Sequence, residues 1–121
     1  MSFKPLFVYG TLRQGHANSA RLGLDGQCDV VNNVQLPGYV LFNLGWFPGI
    51  QPGEGTVTGD LFMVPEDRFP ALDSYEGAPD LYRRETVTIG EHTGVQVYIY
   101  NGNQPPETIA SGDWFNKETA A

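Results

Sequence analysis

Two runs near the end of the chain alternate with a period of two and are joined by a glycine-bounded link. In residues 82–89, Glu85, Val87 and Ile89 alternate with Arg84, Thr86 and Thr88, and in residues 95–100, Val95, Val97 and Ile99 alternate with Gln96, Tyr98 and Tyr100. Successive side chains of a strand point to opposite faces, so each run presents an apolar row on one side. Gly90-Glu91-His92-Thr93-Gly94 turns the first run back on the second. An antiparallel hairpin is expected there, and with it a fold built on a sheet.

The other segments supply more strands. Leu6, Phe7 and Val8 form a short apolar run, the pattern of a buried strand. Residues 27–36 read as a strand through Val30, Val31 and Val34, and Tyr39-Val40-Leu41-Phe42 as another, with Pro37-Gly38 as the turn pairing the two antiparallel. Residues 43–55 are rich in Gly and Pro yet carry Trp46, Phe47 and Ile50, rings and branches that tuck under a loop or line a pocket. Residues 56–64 alternate again as a strand. Pro65-Glu66-Asp67 has the chemistry of a helix start, and a short helix is expected from Phe69-Pro70 to Gly77. Phe69, Leu72 and either Tyr75 or Glu76 share one face of it. Further short helices fit residues 17–24 and 113–118. The sum, about six strands and two or three short helices, is an α+β fold: a mixed, mainly antiparallel sheet curled into a small barrel with helices packed on it.

A chain of 121 residues fits one domain spanning 1–121, and 40% apolar residues with only 17% charged ones give it a core to bury. The net charge is −7, with 14 acids against 7 Lys and Arg, and no basic run can neutralise phosphates. Nucleic acid and anionic membrane are therefore not expected as partners. No stretch approaches a bilayer span. Cys28 is the only cysteine, so no intrachain disulfide forms, and a soluble, cytoplasmic protein is expected.

Chemistry has few places to sit. Cys28 has no histidine near it in sequence and reads as a structural thiol. His16 falls in a loop and His92 on a hairpin tip, and no ligand spacing points to a metal. Tyr9-Gly10-Thr11 closes the first strand. Gly10 frees the backbone for positive φ or for close approach by a ligand, and the N–H groups around it can form a nest for a carboxylate or oxyanion. On those residues alone, an ordinary strand end with a glycine turn accounts for the motif. Glu76 differs from the other acids, because its helix aims it into the fold just before Gly77. There it is either paired, with Arg83 or Arg84, or raised in pKa as a general base requires, and the two readings stand level.

Phe7-Val8-Tyr9-Gly10-Thr11-Leu12-Arg13, with Gly15 and Asn18 behind it, resembles the opening signature of the gamma-glutamylcyclotransferase-like family, in its gamma-glutamylamine cyclotransferase and AIG2-like branch. Gly59-Asp60-Leu61-Phe62-Met63-Val64, then Leu72-Asp73-Ser74-Tyr75-Glu76-Gly77, then Leu81-Tyr82-Arg83-Arg84 follow the family's strand–helix–strand order, and Ser111-Gly112-Asp113-Trp114 resembles its ending. The likeness covers nearly the whole chain, most loosely over residues 28–56. It implies a barrel-like α/β fold that binds a small γ-glutamyl substrate, expels an amine and leaves 5-oxoproline. Matched residue by residue, Tyr9, Gly10, Thr11 and Leu12 would be the substrate-binding loop, Glu76 the catalytic acid/base and Tyr82 a further pocket residue. The substrate's own α-amine is the nucleophile, so neither a catalytic Ser or Cys nor any metal or other cofactor is expected. The amine side would be read by residues 46–53 and the tail. The rival reading is a non-catalytic module on the same fold, binding a small molecule or another protein.

Overall fold

Leu6, Phe7 and Val8 end strand β1 (Phe3–Val8), and both of its faces are buried. The computed structural model describes residues 2–10, 12, 13, 15, 17–24, 26–44, 47–103 and 107–114. After β1 come helix α1 (Ala17–Arg21), strands β2 (Val30–Asn43) and β3 (Pro48–Pro65), a 3-10 turn (Glu66–Arg68), helix α2 (Phe69–Glu76), and strands β4 (Tyr82–Ile89) and β5 (His92–Tyr100). The five strands form one sheet in the order β2-β3-β1-β5-β4. The sheet is mixed, mainly antiparallel, and curled into a half-barrel with few short helices.

β1 lies at its centre, antiparallel to β3 (Leu6↔Phe62, Phe7↔Leu61, Val8↔Asp60) and parallel to β5 (Leu6↔Gln96, Phe7↔Val97). Side-chain alternation sends Phe7 to one face, among Leu41, Ile50, Val57, Val97 and Ile99. Leu6 and Val8 go to the other, among Phe62, Val64, Phe69 and Leu72. The β4–β5 hairpin forms as its alternation requires, with Tyr82 opposite Tyr100 and Val87 opposite Val95.

The Pro37-Gly38 pair does not reverse the chain. β2 runs straight through it, and both halves pair with β3, from Val31↔Leu61 to Leu41↔Ile50. Gly38 takes φ 87° and the register slips between Pro37 and Tyr39, so the dipeptide makes a bulge. A bulge on an edge strand tolerates a residue with no N–H to give. Residues 48–55, read as irregular, are the first half of β3. β1 reaches only residues 60–65 of β3, so Pro48 and Pro52 sit where one side of that strand has no strand partner. Among the described residues, five strands therefore stand where about six were expected. α1 is shorter than residues 17–24, and of residues 113–118 only Asp113 and Trp114 are described.

α2 begins and ends where its sequence says it should. Pro70 lies in the first turn, where its missing N–H has no intrahelical use. Gly77 caps the end in the left-handed conformation (φ 69°), its N–H donating to the carbonyls of Asp73 and Ser74. Eight residues are too few for a helix to persist alone. Phe69 and Leu72 anchor it on the β1 face, contributing about 2 kcal/mol each by burial. Glu76 follows Leu72 by one turn and so projects from the same side.

Candidate active site

The turn after β1 and the end of α2 meet across a cavity of about 280 Å³. Tyr9, Gly10 and Leu12 line it from the turn, Glu76 from the helix, and Tyr82 from the start of β4. Five of the six residues singled out in the sequence thus share one cavity, and the sixth, Thr11, lies outside the described residues. His16 and Trp46 also lie outside them, while His92 is exposed at the hairpin end.

Glu76 is partly buried, and among the described residues no cation pairs with it. The arginines proposed as partners are engaged elsewhere. Arg84 Nε lies 3.0 Å from Asp73 Oδ1, and Arg83 holds Glu85 and donates to Asn101 Oδ1 at 2.9 Å. With burial uncompensated by a positive charge, desolvation pushes the Glu76 carboxyl from its ordinary 4.5 up to about 7. Between the two readings of this acid, the geometry removes the ion pair.

The tyrosines around Glu76 are committed to the protein itself. Tyr9 Oη donates to the Tyr98 carbonyl at 2.7 Å, Tyr82 Oη to the Pro48 carbonyl at 2.6 Å, and Tyr98 Oη to Asp73 Oδ1 at 2.7 Å. Burial pushes all three phenols upward in pKa, and the nearby Glu76 carboxyl adds to each rise. They stay neutral, and among the described lining residues Glu76 is the group pushed to titrate near neutrality.

Gly10 is needed for close approach. Its φ is not left-handed; a Cβ there would lie 2.5 Å from Pro48 Cγ. The group that comes close is the Pro48 ring, whose carbonyl holds Tyr82. The turn closes with the Arg13 N–H donating to the Gly10 carbonyl at 3.1 Å, and among the described residues no acceptor takes the N–H of Gly10 or Leu12. Gly10 and Leu12 both line the cavity that Glu76 lines from the helix.

Sequence reading missed Tyr98 and Leu81, which also line the cavity, while Phe47 and Pro48 in the lining belong to the stretch 46–53 expected to read the amine side. Tyr98 carried a signal, since it stands on the face of β5 opposite Val97 and Ile99 and so had to pack under α2. The exact place of Pro48 depends on the β2–β3 pairing, which sets it opposite Asn43. Arg13 is a second omission. It is 5% exposed, with Nη1 2.7 Å from Asp113 Oδ1, Nε 3.3 Å from Asp60 Oδ2, and Nη2 3.2 Å from Asn33 Oδ1. It ties the turn to β2, β3 and the C-terminal segment.

Comparison with known proteins gives the family of the chain. A family profile described as gamma-glutamyl cyclotransferase, AIG2-like, matches residues 6–116. A Vibrio cholerae protein bearing a gamma-glutamylcyclotransferase name is 37% identical over 113 residues, 90% of this chain and 93% of its own. Gamma-glutamylaminecyclotransferase A of Danio rerio is 30% identical, over 94% of this chain and 75% of its own. Among solved structures, an uncharacterised Pyrococcus horikoshii protein has the same fold (TM-score 0.80, 20% identity, covering 97% of this chain and 94% of that one). The solution structure of YtfP from Escherichia coli superposes with a TM-score of 0.70 at 26% identity, covering 94% of this chain and 98% of that one.

Proposed function

Since the chain belongs to the gamma-glutamyl cyclotransferase, AIG2-like family, we propose that it is an enzyme that closes a γ-glutamyl group on itself, releasing 5-oxoproline and an amine. The observation that carries this reading is Glu76, a carboxyl with no counter-cation among the described residues and a pKa of about 7, in the cavity bordered by the Gly10–Leu12 turn.

The substrate brings its own nucleophile. Its α-amine, with a pKa of about 8, is mostly protonated at neutrality and must lose a proton before it attacks. Ionised Glu76 takes that proton. The amine nitrogen then attacks the γ-carbonyl carbon, closing a five-membered ring and placing negative charge on the carbonyl oxygen. Backbone N–H groups of Gly10 and Leu12 supply donors for that oxygen or for the substrate α-carboxylate. Glu76 returns the proton to the leaving nitrogen, the C–N bond breaks, and no water is consumed. The ring nitrogen passes its second proton through Glu76 to the freed amine, which departs as an ammonium. A base whose pKa lies near the working pH suits both transfers. Holding the substrate folded for ring closure lowers the barrier by several kcal/mol through effective molarity. Tyr9 and Tyr82, their hydroxyls already bonded within the protein, act as fixed walls for that folded conformer.

Glu76→Gln tests the reading. The variant keeps the shape of the side chain and loses the proton acceptor, so 5-oxoproline release from γ-glutamyl amides should fall at least about a hundredfold while the protein stays folded by circular dichroism. Turnover comparable to the parent protein rejects Glu76 as the base.

A further inference from the structure

Asp73 stands three residues before Glu76 on α2 and binds two strands at once. Arg84 on β4 reaches it with two nitrogens, Nε 3.0 Å from Oδ1 and Nη2 3.3 Å from Oδ2. Tyr98 on β5 donates its hydroxyl to the same Oδ1 at 2.7 Å. The arginine is itself held. Its Nη1 donates to Gln96 Oε1 at 3.0 Å, its guanidinium carbon lies 4.7 Å from the centroid of the Phe69 ring, and Gln96 Nε2 in turn donates to Thr86 Oγ1 at 2.9 Å. The backbone of Asp73 also closes the helix, its carbonyl accepting the Ala78 N–H at 2.9 Å. Asp73 is not among the residues lining the cavity; it borders a separate cleft with Lys4, Arg84 and Gln96. The Tyr98 side chain joins the two places, since it lines the cavity and its hydroxyl ends on Asp73.

We infer that Asp73 is a positioning residue for Glu76: with Arg84 and Tyr98 it fixes the roll of α2 on the sheet and so aims the Glu76 carboxyl into the cavity. For its effect on turnover this rests on the cyclisation reading above; for its effect on the place of Glu76 it rests on geometry alone. Phe69 and Leu72 hold the helix down, but apolar burial is non-directional, and a helix of eight residues has little of its own to resist turning. A two-pronged arginine–carboxylate contact is directional, and the bond from Tyr98 fixes the same carboxylate from a second strand. Residues three apart are neighbours on a helix surface, so Asp73 and Glu76 turn together. The titratable side chains that line the cavity with Glu76 and act on it are the neutral phenols Tyr9, Tyr82 and Tyr98. Desolvation is what raises the Glu76 carboxyl, so a carboxyl that swings out toward water loses that rise.

Two substitutions in the full chain separate placement from charge. Asp73→Asn removes the charge and keeps an oxygen for Arg84 Nε and the Tyr98 hydroxyl, whereas Asp73→Ala removes both. Glu76 is followed by its 13C carboxyl resonance, assigned through its loss in Glu76→Gln. Beside it, 5-oxoproline release is measured on a panel of γ-glutamyl amines and dipeptides. Asp73→Ala should lower the Glu76 titration from about 7 by about one pH unit or more. It should also cut kcat at least about tenfold, with KM changed less, while Asp73→Asn keeps kcat within about threefold of the parent and the titration in place. Arg84→Lys, which keeps the charge and loses the fork, should shift Glu76 in the same direction by less, and it decides the matter where Asp73→Ala does not fold. Equal shifts in the Asn and Ala variants would make Asp73 a charge and overturn the positioning role. So would a Glu76 titration or a kcat unmoved in Asp73→Ala, whatever its melting temperature. If the parent releases no 5-oxoproline from any member of the panel, cyclisation falls, and the titration alone still decides whether Asp73 places Glu76.

Discussion

At the scale of single residues, Glu76 is costly to the fold it serves. Its carboxyl has a pKa of about 7 in the folded protein against an ordinary 4.5, so folding favours the protonated form. The sign follows: the contribution to stability is full below pH 4.5 and is lost as pH rises through 7, amounting to up to about 3 kcal/mol. Glu76→Gln carries no such penalty. It should unfold at a higher temperature than the parent at pH 8, and the gap should close as pH falls toward 4. Equal melting temperatures at pH 8 would show that the carboxyl is well solvated after all. The residue was legible because Phe69, Leu72 and Glu76 recur at helical spacing. Its lack of a cationic partner among the described residues was not, since Asp73 and Glu85 compete for the arginines and only folded geometry shows which acid wins. Gly10 was recognised as special, but the ring pressing on it belongs to Pro48, far along the chain.

Elements were legible where the local pattern had one solution. The β4–β5 hairpin and α2 are of that kind, with strict alternation in one and a proline start and glycine stop in the other. Pro37-Gly38 had two solutions, a reversal or a bulge, with the same local chemistry. Pairing with a long β3 on an edge of the sheet selected the bulge, and nothing near residue 37 announces that partner. The end of α2 carries its own test. Gly77 sits at φ 69°, and an added Cβ would lie 3.2 Å from Leu81 Cβ. Gly77→Ala should therefore lose about 1 kcal/mol of stability in denaturant unfolding and, by loosening the last turn, lower kcat for 5-oxoproline release. Unchanged stability and kcat would mean that the cap does not hold Glu76 in place.

Across the whole molecule, Arg13 does what no single element can. Its guanidinium binds Asp60 on β3, Asn33 on β2 and Asp113 near the described end, fastening the turn beside the cavity to distant parts of the chain. Asp60 is 1% exposed, so Arg13→Ala takes the guanidinium from a buried carboxylate. That variant should lose about 3–5 kcal/mol in denaturant unfolding, while Lys4→Ala, which breaks the half-exposed pair with Glu66, should change stability by about 1 kcal/mol or less. Similar losses from both would make the Arg13 network a surface feature in energetic terms. The central place of β1 has a consequence for biosynthesis. The strand leaves the ribosome well before its neighbours, residues 60–65 and then 96–97. A sticky apolar ribbon must wait unsheltered until β5 has emerged, so a translational pause or premature stop before β5 leaves it open to aggregation or to chaperone capture.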